Sequence, residues 1–288
     1  MDDDRSSLAR WIPLVLAALY VVFRLVTAPA LVNAETGERH RVAFTEAQES
    51  AVGLQSYREV LRSAHVVEHG ESVDLVKRVA RRLTQVVHPS VKGYDWRVSV
   101  VESPQRNAFC LPGGKMVVYT GILPVAEGEA GLATVLGHEI AHATSHHGGQ
   151  RVFRDQSIRV LLMGAQASLG DMDAHRRETT IGLLGAGARF GLALPFSREH
   201  ELEADRIGLF YMARAGYDPR ESIRFWQRMM AASKGARPPE LMSTHPANET
   251  RIHELTKALP TAEAQPRLLP PATAADAPAR QLPPAASR

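Results

Sequence analysis

The chain has 288 residues, 44% hydrophobic and 23% charged, with a net charge of +3. This is a globular composition, long enough for one large domain or two small ones. The arginines are scattered and aromatic residues are few, so nothing points to a nucleic-acid partner. A single cysteine, Cys110, excludes an internal disulfide and a cysteine-based structural zinc site; any bound metal must use His and carboxylates.

Residues 11–26, WIPLVLAALYVVFRLV, are apolar except for Arg24. The uninterrupted run 11–23 is short for a span of about 20 residues and suits the hydrophobic region of an export signal, with Val32-Asn33-Ala34 as a cleavage site. Extended through Arg24 to residue 32, the same segment reads as a single membrane anchor with Arg24 snorkelling. The residues do not separate the two. Either way, residues 1–34 form a terminal segment and the rest is exported.

A helical pattern begins near Thr45, a candidate cap, and a second runs over 72–87. In the second, Val73, Val76, Val79, Ala80, Leu83 and Val86 share one face, while Lys77, Arg78, Arg81 and Arg82 form a solvated one. Residues 96–101 alternate as a strand, Pro112-Gly113-Gly114 is a turn, and 115–120 is a second β-rich run. A small sheet therefore precedes the next helix. Its edge, around Asn107, Phe109 and Leu111, either pairs with an extended peptide substrate or simply builds the hairpin.

The helix that follows carries His138-Glu139-Ile140-Ala141-His142. Residues four apart lie on one helix face, so both imidazoles can reach one metal ion, with Glu139 placed to act on a water as general base. The surrounding residues are apolar, and buried imidazoles need partners. His146 and His147 read as the polar carboxyl end of this helix.

A catalytic zinc site usually takes three protein ligands. The dense candidate is Glu199-His200-Glu201-Leu202-Glu203-Ala204-Asp205, on a helix stopped by Gly216. Glu201 and Asp205 share a face, with Glu201 as the third ligand and Asp205 orienting a ligand histidine. Between the two motifs, 157–169 and 179–194 read as helices. The second is rich in small residues and suits close packing or a cover over the cleft more than membrane contact. Residues 221–232 and 250–259 are further helices, and 260–288 form a Pro/Ala-rich disordered tail.

Asn107-Ala108-Phe109, Leu111-Pro112-Gly113-Gly114-Lys115, Gly137-His138-Glu139-Ile140-Ala141-His142, Glu201-Leu202-Glu203-Ala204-Asp205 and Ser243-Thr244-His245-Pro246 occur in order. Together, over residues 45–258, they resemble the HtpX/BepA/Oma and CAAX-prenyl-endopeptidase family of gluzincins, in its soluble-domain branch. Cys110 stands where such proteins commonly have a small residue.

The resemblance implies a mainly α (α+β) zincin-like domain over 35–259, with packed helices and a small sheet beside the H-E-x-x-H helix. It implies one Zn2+ per chain on His138, His142 and Glu201, Glu139 as base and Asp205 behind the ligands. His245 is an oxyanion donor, a cover over the zinc, or a loop cap; Arg251 supports the site or makes a structural ion pair.

The expected activity is a zinc metalloendopeptidase acting on exported or membrane-associated, misfolded proteins in the cell envelope. The domain would lie in the periplasm or anchored outside the cytoplasm. Its partners are protein or peptide substrates, with the membrane through the N-terminal segment and no nucleic acid. An aminopeptidase would need an acidic group for the substrate's free amine, and none is assigned. The rivals are a chaperone-like client binder with a zinc site and a latent protease closed by His245.

Overall fold

The computed structural model describes residues 9–91, 93–189, 193–233, 240–246 and 248–272. The chain forms two compact units. One gathers residues up to 33, 38–47 and 146–200; the other holds 34–37, 48–145 and 201 onward. The segment 146–200, expected within the 35–259 domain, is thus grouped with the N-terminal segment.

In the first unit a terminal helix, Ile12–Thr27, packs along the helix His147–Ser168. Gly164 makes this approach possible: a Cβ there would come within 2.5 Å of the Ala17 Cβ. The terminal helix does not run on to residue 32. Ala28 is extended, as the residue before a proline tends to be, and β1 (Ala30–Val32) then pairs antiparallel with β2 (Arg39–Arg41). At 16 residues the helix is roughly 24 Å long. Among the described residues no helix is long and apolar enough to cross a membrane.

A further helix, Ala174–Ala188, is capped by Asp173, whose carboxylate accepts from the backbone N–H of His175 and Arg176. The close packing expected of it is not seen: none of its residues is buried, because its small residues leave only isolated apolar side chains. Residues 190–192 of the expected helix lie outside the described residues.

The second unit is mainly helical, with one four-stranded sheet in the order β3-β4-β6-β5: β3 Val66–Val67, β4 Arg97–Val101, β5 Ala108–Leu111 and β6 Lys115–Tyr119. β4 and β6 run parallel; β5 and β6 form the antiparallel hairpin that Pro112-Gly113-Gly114 turns. β5 is an edge strand. The helix Glu46–Arg62, whose residues from Gln48 belong to this unit, lays Tyr57 into a small cluster with Val101 and Val117.

The helix Glu71–Gln85 buries Val73, Val76, Val79, Ala80 and Leu83 in the main core beside the helix Glu129–Thr144. Its basic face is only partly solvated. Arg78 pairs with buried Glu129, and Arg82 donates to the Ala215 carbonyl at 2.6 Å. The expected tail is ordered at its start. The last helix, Glu249–Glu263, runs through Pro260 because Leu255 and Ala262 are buried on either side of it. Backbone bonds from Leu268 to Arg214 and from Ala272 to Gly216 hold the segment beyond; residues 273–288 lie outside the described residues.

Candidate metal centre and active site

The site is built where the helix Glu129–Thr144 crosses the helix Leu194–Arg214, whose residues from Glu201 belong to the same unit. Fourteen of the sixteen residues of the first helix are buried, so it has no solvated face and all its polar groups need partners. Two glycines meet at the crossing. A Cβ on Gly208 would come within 3.0 Å of the His138 backbone nitrogen, and one on Gly137 within 3.2 Å of the Gly208 carbonyl oxygen. With no side chain between them the helix backbones touch, and Glu201 and Asp205 come level with His138.

Asp205 fixes the His138 ring. Its Oδ1 lies 3.0 Å from His138 Nδ1; with the proton on Nδ1, the Nε2 lone pair is turned into the site. There it lies 3.1 Å from His142 Nε2 and 3.3 Å from Glu201 Oε2, and Glu201 Oε1 is 3.4 Å from His142 Nε2. His245 enters from the far side, its Nδ1 2.9 Å from Glu201 Oε2 and 3.2 Å from His138 Nε2. One donor atom from each of His138, His142, Glu201 and His245 lies within 4.8 Å of all the others. Three imidazole nitrogens and a carboxylate oxygen are a donor set for a first-row divalent metal, and nitrogen lone pairs this close repel unless a proton or a cation sits between them.

The electrostatics agree. Burial opposes charge on His138, but the Asp205 and Glu201 carboxylates outweigh it and raise the imidazole from 6.5 to about 9. Burial also works against the Glu201 carboxylate, yet hydrogen bonds from His138, His142 and His245 hold it far below its ordinary range. Asp205 is lowered as well: burial pushes it up, and Arg251 and His138 more than compensate. The site is thus a buried anionic pocket that attracts a cation. Glu139 stands beside it with Oε1 buried and without a hydrogen-bond partner among the described residues; His245 Nε2 is 3.4 Å away.

Arg251 is where the last helix joins the site. Its guanidinium grips Asp205 through Nε at 2.7 Å and Nη2 at 2.6 Å, and Nη1 lies 3.1 Å from Glu201 Oε2. It rests 3.9 Å above the Trp226 ring, whose edge-to-face partner is His138, with centroids 5.7 Å apart. Trp226, on the helix Glu221–Ser233, is not among the site residues the sequence pointed to. Its one signal was a large aromatic at an inward position; nothing in the spacing linked it to a histidine some ninety residues earlier.

The edge strand differs in detail from expectation. Phe109 and Leu111 pack into the Tyr57 cluster, while Ala108 and Cys110 face the main core that contains the H-E-x-x-H helix. The Asn107 carbonyl accepts from Tyr119 and the Leu111 carbonyl from Gly114, so the alternate residues Ala108 and Cys110 turn their N–H and C=O to the free edge. Asn107 caps that edge: its Oδ1 accepts from the Ala108 N–H at 2.9 Å. Burial, and then the nearby Glu139 charge, push the Cys110 thiol well above its ordinary value, which favours its neutral form. The short helix Glu240–Thr244 that leads into His245 is tied to the start of this strand, with Arg106 N–H donating to Glu240 Oε2 at 2.8 Å and Leu241 N–H to the Arg106 carbonyl at 3.2 Å.

Two histidines and a glutamate converging from two helices, with a glutamate beside the first histidine, define a zincin-type metallopeptidase domain in a mainly helical α+β fold. The chain belongs to peptidase family M48, whose profile matches residues 72–259. It is 38% identical over 189 residues to the mitochondrial metalloendopeptidase OMA1 of Schizosaccharomyces pombe, a match covering 65% of this chain and 53% of that protein. It is 33% identical over 223 residues to the mitochondrial metalloendopeptidase OMA1 of Bos taurus, covering 74% of this chain and 42% of the relative. It is 30% identical over 210 residues to the beta-barrel assembly-enhancing protease of Escherichia coli, covering 71% and 42%. The chain therefore spans about half the length of these relatives or less.

Proposed function

We propose that the chain is a zinc-dependent endopeptidase, with one zinc on His138, His142 and Glu201, that cuts exported or membrane-associated proteins as part of envelope protein quality control. The buried Glu139 carboxylate, whose Oε1 has no hydrogen-bond partner among the described residues and which stands beside four convergent donor atoms, carries the reading. Zinc, when bound, supplies the Lewis acid that polarises the scissile carbonyl and acidifies a water. Glu139 takes the proton of the attacking water and passes it to the leaving amine nitrogen. Asp205 holds the His138 proton on Nδ1, and Arg251 holds Asp205. The substrate lies extended along Ala108–Leu111, pairing with the Cys110 N–H and C=O and with the Ala108 C=O.

Support for the site of action comes from two sides. The relatives bear the names of a mitochondrial metalloendopeptidase and a beta-barrel assembly-enhancing protease. The terminal helix is apolar on nearly every face and exposes Leu16, Leu19, Phe23 and Val26, which suits contact with a membrane when residues 1–34 are retained as an anchor. Replacing Glu139 by Gln tests the catalytic reading: cleavage of an unfolded protein should stop while one zinc per chain is retained. Cleavage at the wild-type rate by that variant refutes the assignment, and a non-enzymatic client binder predicts no cleavage by either form.

His245 supports a second reading of the resting state. Its Nδ1 occupies the fourth corner of the donor set, so it closes the site until substrate displaces it. His245→Ala then raises peptide cleavage, whereas an oxyanion donor at this position predicts a fall.

A further inference from the structure

Beyond the close crossing at Ala17 and Gly164, the helices Ile12–Thr27 and His147–Ser168 enclose a cavity of about 290 Å³. Arg24 from one helix and Arg159 from the other line it, together with Tyr20, Phe153, Gln156 and Ser157. Arg24 is held in place: its guanidinium lies 5.7 Å from the Phe153 ring centre and donates to the Tyr20 hydroxyl at 3.4 Å. The one acid on the second helix, Asp155, is taken by Arg154 at 2.9 Å. Among the described residues neither Arg24 nor Arg159 has a carboxylate partner. The Ser157 hydroxyl is already bonded to the Phe153 carbonyl at 2.9 Å, so the cavity is a cationic notch whose donors for phosphate oxygens are the two arginines and the Gln156 amide.

Its surroundings say which phosphate. The terminal helix exposes a run of large apolar side chains, Val26 by 68% among them, and the same unit exposes Met163 by 63% and Leu183 by 70%. A helix of 16 residues that exposes large apolar side chains and is shorter than the roughly 20 residues a span needs suits partial insertion into the apolar layer of a membrane, with its one charged residue, Arg24, at the boundary. There the stem of Arg24 lies among acyl chains and its head reaches the phosphate layer.

We propose that this notch binds the headgroup phosphate of an anionic phospholipid, so that the protein selects negatively charged membranes rather than bilayers in general. The proposal rests on the membrane contact argued above and adds a specific site to it. Attraction of a surface Lys or Arg to an anionic bilayer is worth about 1 kcal/mol each, so removing both guanidiniums should weaken binding roughly 30-fold.

The test uses the full chain carrying Glu139→Gln, so that it cannot cut itself, and measures co-flotation with vesicles of phosphatidylcholine with or without phosphatidylglycerol. Arg24→Gln with Arg159→Gln should lose the preference for anionic vesicles and keep the weaker binding to neutral ones. Arg58→Gln with Arg62→Gln, the same loss of charge in the other unit, should change little. Arg159→Gln alone, an exposed substitution, should give about half of the logarithmic effect and guards against misfolding of the double variant.

Equal losses in the two double variants, or anionic preference surviving loss of both arginines, overturn the notch. Full competition by inorganic phosphate at constant ionic strength reassigns it to the free ion and also overturns the proposal. If the unaltered chain binds neither kind of vesicle, the membrane reading itself falls, and recruitment would then require a protein.

Discussion

Asp205 is the residue through which the metal centre and the last helix hold one another, and replacing it with Asn tests that coupling. Asp205 and Arg251 are 5% and 2% exposed, and their two hydrogen bonds, 2.7 and 2.6 Å, use both carboxylate oxygens. The substituted amide would keep one acceptor and turn an NH2 towards a donor, leaving the guanidinium buried without its main counter-charge. Removing one partner of a buried pair costs about 3–5 kcal/mol. Glu201, 3.1 Å from Arg251, recovers some of this, so the low end applies, about 3 kcal/mol. For a chain of this size that is a fall in Tm of roughly 6–12 °C, to be measured by differential scanning calorimetry on metal-free protein. Zinc affinity should drop about 10–100-fold, because His138 loses its fixed tautomer and Arg251 now competes for Glu201. Adding Arg251→Met to Asp205→Asn removes the stranded charge and leaves an apolar chain over Trp226; most of the lost stability should return while zinc affinity stays low. If the double variant is less stable than Asp205→Asn alone, the buried-charge argument is wrong.

Three further outcomes follow from the same geometry. Gly208→Ala drives a Cβ to 3.0 Å from the His138 nitrogen; it should cost about 1–3 kcal/mol and weaken zinc binding, and an unchanged affinity by competition with a chelator would show that the glycine contact does not set the ligand spacing. In metal-free protein the His138 imidazole is raised from 6.5 to about 9, so its contribution to stability is complete below pH 6.5 and disappears as pH rises through 9; zinc displaces that proton, so affinity should climb with pH up to about 9, and calorimetric titrations giving one affinity throughout that window would refute it. Glu240→Ala frees the Arg106 N–H and loosens the segment before His245; if His245 closes the site, peptide cleavage rises with little loss of Tm, and a rise with His245→Ala but none with Glu240→Ala would dissociate the latch from the cover.

The parts of the site that rest on helical spacing were legible in the sequence. His138 and His142, and Glu201 and Asp205, lie four apart, and that spacing alone places each pair on one face. The sheet was legible in part. The β4 and β6 runs and the turn before β6 were found, but β3 has two residues, too few for any periodicity, and the facing of the edge strand depended on which residues of the hairpin pair inward. Phe109 and Leu111 were candidates for substrate contact because they lie on the expected sheet edge; the register turns their side chains to the Tyr57 cluster and leaves Ala108 and Cys110 with backbone groups at the edge. Arg251 and Trp226 form a long-range contact that no local pattern encodes. The end of the last helix was misread because Pro260 normally stops a helix, and the burial of Ala262 that offsets this is a property of the packed chain.

The Arg251 clamp also bears on the order in which the protein is made. The guanidinium that steadies Asp205 lies 113 residues after His138, on the last helix. A chain emerging from its N-terminus holds Glu139 and both imidazoles long before Glu201, and Glu201 before the side chain that fixes Asp205. The site is therefore completed only when nearly all of residues 72–259, the stretch that matches the family, has been made. A product that stops before Arg251 carries the recognisable motif without the side chain that holds Asp205.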